Sequence, residues 1–509
     1  MLPASHPILS WEESLAFEAN LFNGDEQREW SAMARAGRAV ASGVLSDIGE
    51  IGGLSAAGRL LVLAGKGNNA GDAFIAAAEM LRQAPGATAD VIFVYGERAL
   101  RPLASRAWRE LVESARGRIG FAGTRASFEA GHPSLQRPYD ICLDGIFGLQ
   151  YRAPLDRRAA EVLGLANRLP VRLRAAVDLP SGLDDAGGFR ADFTYATGIL
   201  KEPLLGCANA GRLRYLDLGF FGLGSQACGL LSRVLTPDAL APLARLRLSQ
   251  SDKRSFGHLC IFAGSRNYPG AALMAVRAAL RSGAGRVTAV VPESLVPAFA
   301  ASAPEAMWTG WPETKAGGLA RRSRGLRARG FEQATAVVVG PGLGSEPETL
   351  AAAADLLGAL TVPVLLDADA LRAKVIGAAR SPLVLTPHAG EYARIGGGPD
   401  LPGFCRERRA VVVLKGPVTR ICRGVPPTIF HSTFGGPVLA RGGSGDLLAG
   451  LLGGLLAQAP EDLLAAACRG VVWHGLAADA LARDRGQTSV VITQLLDYLP
   501  DVLRRPPML

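Results

Sequence analysis

The sequence is poor in the patterns that indicate disulfide bonding, zinc binding or secretion. Its 509 residues include 7 cysteines, and these form no C-x-x-C pair and no other metal-ligand spacing. The amino-terminal stretch has no basic segment followed by an apolar core, so it shows no secretory signal. Several cysteines lie in apolar runs, which indicates buried thiols in a reducing compartment, and we expect a cytoplasmic protein.

Long apolar runs and aromatic clusters are also missing. The most apolar stretch, residues 447–457, is too short and too rich in glycine to cross a bilayer. Aromatic residues make up 6% of the chain, and the arginines behind its net charge of +9 are scattered along it. These absences argue against a membrane or a nucleic-acid partner. A diffuse positive field suits small anionic ligands such as nucleotides, although a solvated arginine-rich surface explains it equally well.

The chain does contain two series of short β-rich runs that alternate with helical stretches. The first series extends from Arg59 to Phe220 after a helical arm, and the second starts at His258 and ends in helical segments. Such alternation predicts mostly parallel sheets covered by helices. Residues 221–253 have turn residues and no sustained strand pattern. We therefore predict two α/β domains, residues 1–230 and residues 231–509.

In the second domain, the stretch "ARGGSGDLLAG" places glycines around a carboxylate, Asp446, where an apolar helix begins. Glycine turns ahead of a helix free backbone N–H groups to bind phosphate, but this one matches neither the Walker pattern nor a dinucleotide fingerprint. A carboxylate inside an anion site would repel phosphate unless it has a chemical role. We interpret Asp446 as a base that takes a proton from a hydroxyl while the amides of residues 443–445 hold the transferring phosphoryl group. A helix cap is the alternative.

Two further polar residues of this domain lie where apolar strands end. His388 follows a strand and a proline in "TPHAGE", a loop position that favours ligand contact, with a buried and satisfied histidine as the alternative. Lys415 closes the strand "VVVLK". Carboxyl ends of such strands are where open α/β sheets bind ligands, so both residues are candidates for a binding site.

Several blocks of the second domain occur in a specific order: "FGHLCIFAGSRNYPGAALMAVRAALRSGAG", "APEAM", "VVVGPGLG", "VLLDADAL", "VLTPHAGEYARI", "VVLKGPVT" and "ARGGSGDLLAGLLG". In this order they resemble the ADP/ATP-dependent NAD(P)H-hydrate dehydratases, a ribokinase-like α/β family. The resemblance implies that ADP or ATP, with Mg²⁺, phosphorylates a ring hydroxyl of hydrated NADH or NADPH (NADHX or NADPHX), and that phosphate is then eliminated. The implied substrate contacts are Ala271, Gly342, His388 and Asp446. The implied nucleotide contacts are Lys415, Gly416, Pro417, Val418, Thr419, Gly443, Ser444 and Gly445.

Polar residues follow strands in the first domain as well. The blocks "AGKGNNAGDAF", "CLDGIFG" and "AVDLPSGLD" each join an apolar strand to a turn, so Asn69, Asp144, Asp178 and Ser181 should converge at one sheet edge. Amide, carboxylate and hydroxyl oxygens without histidine or cysteine favour a hard cation. Asp178 would then be left for proton chemistry. For Asp144 taken alone, a turn-forming aspartate is the alternative.

These blocks, with "MARAGRAV" in the amino-terminal arm, resemble the NAD(P)H-hydrate epimerase domain, for which we expect a Rossmann-like three-layer fold. The resemblance implies potassium held by Asn69, Asp144 and Ser181, and Asp178 as the acid or base that inverts the hydrated carbon. Substrate contacts are implied for Asn68, Asn69, Ala70, Gly71, Asp72 and Gly148. Ala70, Ala73 and Leu149 differ from the residues usual in that family. A methyl group at position 70 is harmful if the backbone there needs a positive φ.

Together the two resemblances imply a bifunctional enzyme that repairs hydrated NADH and NADPH. The first domain would equilibrate the R and S hydrates, and the second would dehydrate the S form at the expense of ADP or ATP. The alternative is a ribokinase-like kinase of a small molecule whose first domain only binds or scaffolds. We expect a homo-oligomer, with no nucleic-acid or membrane partner.

Overall fold

The computed structural model describes most of the chain: residues 2–129, 137–183, 185–222, 231–322 and 330–504. These residues fall into two compact units. The first contains residues 7–222 and 482–487, and the second contains residues 2–6, 231–481 and 488–504. The predicted domain boundary near residue 230 adjoins residues 223–230, which lie outside the described residues.

The first unit is built on a seven-stranded parallel sheet. The strands of this part of the chain are β1 (Ser5–Leu9), β2 (Arg59–Ala64), β3 (Thr88–Phe93), β4 (Ile119–Gly123), β5 (Tyr139–Gly145), β6 (Val171–Val177), β7 (Phe193–Thr197), β8 (Leu200–Lys201) and β9 (Arg212–Leu216). The sheet order is β4-β3-β2-β5-β6-β7-β9, and β8 pairs with β1 instead. The order reverses between β2 and β5, so the carboxyl ends of these strands open a crevice where folds of this type bind ligands.

Helices cover both faces of this sheet. They are α1 (Trp11–Phe22), α2 (Glu26–Asp47), α3 (Asn68–Gln83), α4 (Pro102–Ala115), α5 (Arg125–Glu129) and α6 (Arg157–Arg168). Alternate residues of a strand point to opposite faces. Accordingly, Leu60 and Val62 pack with residues of α2, α3 and α4, whereas Leu61 and Leu63 pack with residues of α6. The predicted Rossmann-like three-layer fold is confirmed.

The second unit has a larger sheet. Its strands are β10 (Ser232–Leu235), β11 (His258–Phe262), β12 (Arg286–Pro292), β13 (Met307–Trp311), β14 (Ala336–Val339), β15 (Val364–Leu366), β16 (Leu383–Leu385), β17 (Ala410–Leu414), β18 (Thr419–Cys422) and β19 (Ile429–Ser432). The order is β13-β12-β11-β14-β15-β16-β17-β18-β19-β10. Neighbours are parallel from β13 to β17, and β18 runs antiparallel to β17 and to β19. The order reverses between β11 and β14, which opens a second crevice.

Helices of this unit pack on both sides of the sheet, and the predicted α/β class is confirmed. They are α7 (Pro269–Arg281), α8 (Val296–Ser302), α9 (Pro347–Leu357), α10 (Ala373–Ile376), α11 (Ala389–Arg394), α12 (Leu401–Arg408), α13 (Ser444–Gln458), α14 (Leu463–Arg485) and α15 (Leu495–Arg504). Helix α13 lies very close to β14, because a Cβ atom added at Gly453 would stand 2.3 Å from Val338 Cγ2. The glycines of the apolar run therefore serve close packing in the core.

The composition led to predictions about membrane segments and about the burial of the thiols. Within the described residues, no helix is both long enough and apolar enough to cross a membrane. The thiols predicted to be buried are so at Cys142, Cys260, Cys405, Cys422 and Cys468, whereas Cys207 is partly exposed. Cys228 lies outside the described residues.

Candidate functional sites

Glycine turns line the crevice between β11 and β14. Gly342 has a φ of 65°, and a Cβ atom there would stand 2.4 Å from the carbonyl oxygen of Tyr268 and 3.0 Å from Ala271 Cβ. Ser265 Oγ donates a hydrogen bond of 2.7 Å to the carbonyl of Gly342. The structure thus brings Ala271 and Gly342, both predicted substrate contacts, against each other.

The amino terminus of α13 faces the same crevice. Its N-cap is Gly443, which has a φ of 95° and caps the helix without a side-chain hydrogen bond. Ser444 Oγ donates a hydrogen bond of 2.7 Å to the carbonyl of Leu439. Asp446 lies in the first turn and is not the capping residue, so the helix-cap alternative for Asp446 does not describe this helix. The first amides of a helix have no carbonyl partner within it and can bind an anion.

The surroundings of Asp446 raise the pKa of its carboxyl group. Burial raises the pKa of the Asp446 carboxyl to about 6, and the neighbouring carboxylates of Asp367 and Asp369 act in the same direction while Lys415 opposes them. A carboxyl of this kind is mostly ionised at neutral pH, yet it is a stronger base than an ordinary aspartate. It therefore suits proton abstraction from a hydroxyl.

Lys415 links this helix terminus to the carboxyl end of the sheet. Its Nζ lies 3.0 Å from Asp367 Oδ1 and 3.9 Å from Glu391 Oε2, and 3.5 Å from the position that a Cβ atom of Gly445 would take. Burial lowers the pKa of Lys415, but the carboxylates of Asp367 and Glu391 outweigh that effect and raise it above its usual value. A positive charge thus faces the first turn of α13.

Asp367 and Asp369 belong to the site although sequence reasoning assigned them no role. Asp367 Oδ1 accepts a hydrogen bond of 2.7 Å from Thr386 Oγ1, and Asp369 Oδ2 accepts one of 2.9 Å from the amide of Gly344. Asp367 directly follows the buried strand β15, and Asp369 lies two residues further on. Their position after a strand could have identified them as candidate site residues, because polar residues at strand ends meet at the ligand-binding edge of the sheet.

His388 lies beside the turn that carries the predicted nucleotide contacts. Its side chain is exposed and its Nδ1 accepts hydrogen bonds from the amides of Gly390 and Glu391, so it caps α11. The buried-histidine alternative is therefore wrong. His388 forms a bridge with Lys415, and residues 416–418 connect that lysine to Thr419 at the start of β18. The structure groups the predicted nucleotide contacts of this turn next to the histidine.

Helix α14 contributes two buried side chains that sequence reasoning missed. His474 is hydrogen-bonded to the backbone of Ser444, and burial lowers the pKa of its imidazole to about 4. Its Nε2 has no hydrogen-bond partner within the described residues. Asp479 Oδ2 accepts a hydrogen bond of 3.0 Å from the amide of Gly435. Both side chains support the segment that leads from β19 to Asp446.

In the first unit, the crevice between β2 and β5 holds a cavity of about 280 Å³. The predicted residues that line it are Asn68, Asn69, Asp72, Gly148 and Asp178. Ala70 and Gly71 are instead buried within α3: Ala70 belongs to the hydrophobic core, and a Cβ atom at Gly71 would stand 2.4 Å from Met33 Sδ. The φ of Ala70 is not positive because the residue is helical. Alanine at this position is thus compatible with the backbone.

The proposed cation ligands converge as predicted. Ser181 Oγ donates to Asp144 Oδ1 at 2.7 Å and accepts from the amide of Phe147 at 2.9 Å, and Asn69 Nδ2 donates to the carbonyl of Phe147 at 2.7 Å. Burial raises the pKa of the Asp144 carboxyl to about 6 despite its hydrogen bonds from Ser181 and Ile146. Asn69 Oδ1 is buried without a hydrogen-bond partner within the described residues. A buried carboxylate next to an unsatisfied amide oxygen fits a hard cation.

Asp178, which we predicted to be left for proton chemistry, has polar partners of its own. Its backbone has a φ of 65°. Its Oδ1 accepts a hydrogen bond of 2.9 Å from Thr197 Oγ1 and forms an ion pair with the buried ammonium of Lys201. Sequence reasoning missed Thr197 and Lys201, which lie at the ends of β7 and β8. Their contacts hold the carboxylate at the wall of the cavity.

Two more carboxyl groups line this cavity. Burial, together with the charges of Asp178 and Glu18, raises the pKa of Asp72 well above its usual value. Burial raises the pKa of Glu18 to about 7, with Lys201 opposing. Glu18 belongs to α1, far along the chain from the strand-end motifs, and no local pattern in the sequence singles it out.

Each unit therefore carries carboxyl groups with raised pKa values at the switch point of a parallel sheet, which is the arrangement of an α/β enzyme acting on small molecules. The family model described as NAD(P)H-hydrate dehydratase matches residues 259–501, and the model described as YjeF-related protein N-terminus matches residues 31–202. The chain belongs to the family of bifunctional NAD(P)H-hydrate repair enzymes.

Individual relatives show the extent of the similarity. The chain is 33% identical over 472 residues to the bifunctional NAD(P)H-hydrate repair enzyme Nnr of Moorella thermoacetica, with 88% of this chain and 87% of that protein covered. It is 34% identical over 501 residues to that of Gloeobacter violaceus, with 91% of each covered. The crystal structure of the ADP/ATP-dependent NAD(P)H-hydrate dehydratase from Bacillus subtilis, co-crystallised with ATP/Mg²⁺, is 30% identical and covers 51% of this chain and 93% of its own, with a TM-score of 0.45.

Proposed function

We propose that this chain restores NADH and NADPH from their hydrates in two steps, one in each unit. The first unit interconverts the R and S hydrates. The second transfers a phosphoryl group from ADP or ATP to the ring hydroxyl of the S hydrate and eliminates phosphate. The observation that carries the proposal is the position of Asp446, a carboxyl with a raised pKa in the first turn of a helix whose N-cap is Gly443.

The groups around Asp446 support both parts of the dehydration. Asp446 accepts the proton of the substrate hydroxyl. The oxygen of that hydroxyl forms a bond to the terminal phosphorus of the nucleotide, and the bond from this phosphorus to the rest of the nucleotide breaks. The amides of residues 443–445 and the ammonium of Lys415 stabilise the charge on the transferring group. Elimination then breaks the carbon–oxygen bond to phosphate as the neighbouring carbon gives a proton to the departing phosphate, which restores the ring double bond.

Residues 415–419 and 443–445 form the proposed nucleotide site, with Ala271, Gly342 and His388 at the substrate. Mg²⁺ prefers one or two carboxylates together with substrate phosphates, and Asp367 and Asp369 are the carboxylates here that fit this role. When bound, the metal would neutralise charge on the phosphates.

We predict that pure S hydrate with Mg²⁺ and either ADP or ATP regains the absorbance of reduced nicotinamide. Asp446→Asn should lower the rate roughly 10²–10⁴-fold, the usual contribution of general base catalysis, and leave nucleotide binding intact. A stable phosphate ester would instead favour the small-molecule kinase alternative. Failure to recover NADH with either nucleotide would exclude the dehydratase.

In the first unit, potassium held by Asn69, Asp144 and Ser181 would place a positive charge beside the buried carboxylate of Asp144. Lys66 and Arg101 line the cavity and suit the pyrophosphate of a dinucleotide. Asp178 would act as the acid or base in inversion of the hydrated carbon. Buried thiols are consistent with the cytoplasmic location we propose. Light scattering on the purified chain tests the proposed homo-oligomer.

Potassium binding should be visible in thermal unfolding. A ligand that binds only the native state stabilises it, by about 1.4 kcal/mol at ten times its Kd. We expect a higher Tm in K⁺ than in tetramethylammonium at equal ionic strength. Asn69→Ala should abolish the difference, and Asn68→Ala, a change at a cavity residue outside the proposed ligand set, should keep it. An equal Tm in both salts would contradict the potassium site.

A further inference from the structure

Three carboxyl groups and one buried lysine meet at the cavity of the first unit. Glu18, Asp72 and Asp178 all line it, and the ammonium of Lys201 is fully buried and paired with Asp178. Lys66 and Arg101 line the cavity as well. Carboxylates that share a site disfavour one another's ionised forms. This cluster, whose buried lysine is already paired with Asp178, is suited to hold a proton on one of its carboxyl groups.

Glu18 is the carboxyl group best suited to give up that proton. Burial raises its pKa to about 7; Lys201 opposes this shift, and Asp178 and Glu29 reinforce it. Asp72 is shifted well above its usual value, mainly by burial. A general acid works best when its pKa lies near the working pH. Asp178, by contrast, is held by hydrogen bonds from Thr197 and by the ion pair with Lys201.

We propose that Glu18 is a second catalytic residue of the epimerisation, acting as the general acid in partnership with Asp178. This inference rests on the proposed epimerase function of the first unit. It assigns the proton donor to α1, outside the strand-end loops that carry the other site residues.

The chemistry follows from the substrate. Hydration of the ring places a hydroxyl group on a carbon next to the ring nitrogen. Glu18 donates its proton to that hydroxyl, the carbon–oxygen bond breaks, water leaves, and the nitrogen lone pair forms a carbon–nitrogen double bond. Water then adds to the other face of the carbon, the double-bond electrons return to nitrogen, and the released proton passes to the Asp178 carboxylate. Proton exchange with solvent restores both groups.

The test compares Glu18→Gln with Glu12→Gln, an exposed change on the same helix, in the full-length chain. Chromatography follows interconversion of pure R hydrate into S hydrate without nucleotide, against a blank without enzyme. We expect Glu18→Gln to lose about 100-fold or more of the rate, Glu12→Gln to match wild type, and dehydration of S hydrate to be unchanged in both. The wild-type rate should fall as the pH rises above about 7, since Glu18 must be protonated, and Glu18→Gln should lack that fall.

The outcomes separate the inference from the proposed function. Wild-type chain that interconverts the epimers no faster than the blank would exclude the epimerase function itself. Wild-type activity with an equally active Glu18→Gln would overturn only the role of Glu18. If Glu18→Gln does not fold, Glu18→Ala with added acetate decides: restoration by the protonated acid supports the role, and a Glu18→Ala variant as active as wild type without acetate contradicts it.

Discussion

At the scale of single residues, the chemistry proposed for the second unit depends on how four charged groups share one crevice. Asp446 must be ionised to accept a proton, and its pKa of about 6 reflects burial first, then the carboxylates of Asp367 and Asp369, with Lys415 in opposition. Lys415 is in turn fixed by Asp367 at 3.0 Å. In the proposed mechanism the lysine therefore has two roles, one toward phosphate and one toward the base.

This balance predicts a pH dependence. The single-turnover rate of dehydration should rise as the pH increases through about 6, because the ionised form of Asp446 is the active one. Lys415→Met removes the charge that favours this form. The midpoint of the pH profile should therefore move to higher pH, and the rate itself should fall. Lys374→Met, at an exposed lysine of α10, should leave the profile unchanged. A midpoint that stays in place in Lys415→Met would contradict the proposed coupling.

At the scale of elements, the conformation of the turn ahead of Asp446 depends on how α13 starts. The left-handed N-cap at Gly443 lets the chain enter the helix with its first amides toward the crevice, and Met274 of α7 fills the space beside it. A residue with a side chain at a left-handed position costs about 1–2 kcal/mol. The adjacent Gly442 has neither constraint, because its φ is not positive and a Cβ atom there would have no heavy atom within 4 Å.

The two glycines provide a matched pair. We predict that Gly443→Ala displaces the turn, lowers the free energy of unfolding of the second unit and abolishes most dehydration, since its Cβ atom would stand 2.6 Å from Met274 Sδ. Gly442→Ala should retain both stability and most activity. Denaturant unfolding and the rate with S hydrate check these outcomes. Equal effects of the two changes would mean that the backbone conformation at Gly443 does not set the site.

Whether a site residue could be predicted from the sequence depended on the element that carries it. Strand-end residues such as Asp144, Ser181 and Lys415 could be predicted, because a local pattern in the sequence marks where a strand ends. Parallel strands end at one edge of a sheet, so these residues meet there. Glu18 on α1 and His474 on α14 reach their sites only through tertiary packing, and nothing in their neighbouring residues shows this. The ion pair between Asp178 and Lys201 could not be predicted for the same reason, since Lys201 lies on β8, two strands further along the chain.

At the scale of the whole molecule, one chain combines two reactions, epimerisation of the hydrates and dehydration of one epimer. Hydration of a planar ring carbon gives both epimers, and the proposed dehydration consumes only the S form. A chain with the second unit alone would consume the R form only as fast as that form epimerises without catalysis. The first unit then has a defined task, which is to supply S hydrate as it is removed.

The most direct test of this account is the end point reached with a mixture of R and S hydrates, excess ADP or ATP, and Mg²⁺. We predict that the wild-type chain restores the entire mixture to NADH, and that Asp178→Asn converts the S fraction quickly and then slows to the uncatalysed rate of epimerisation. Asp446→Asn should restore almost none while the epimers still interconvert. Wild-type chain that stops at the S fraction, or Asp178→Asn that consumes both epimers as fast as wild type, would contradict the division of work between the two units.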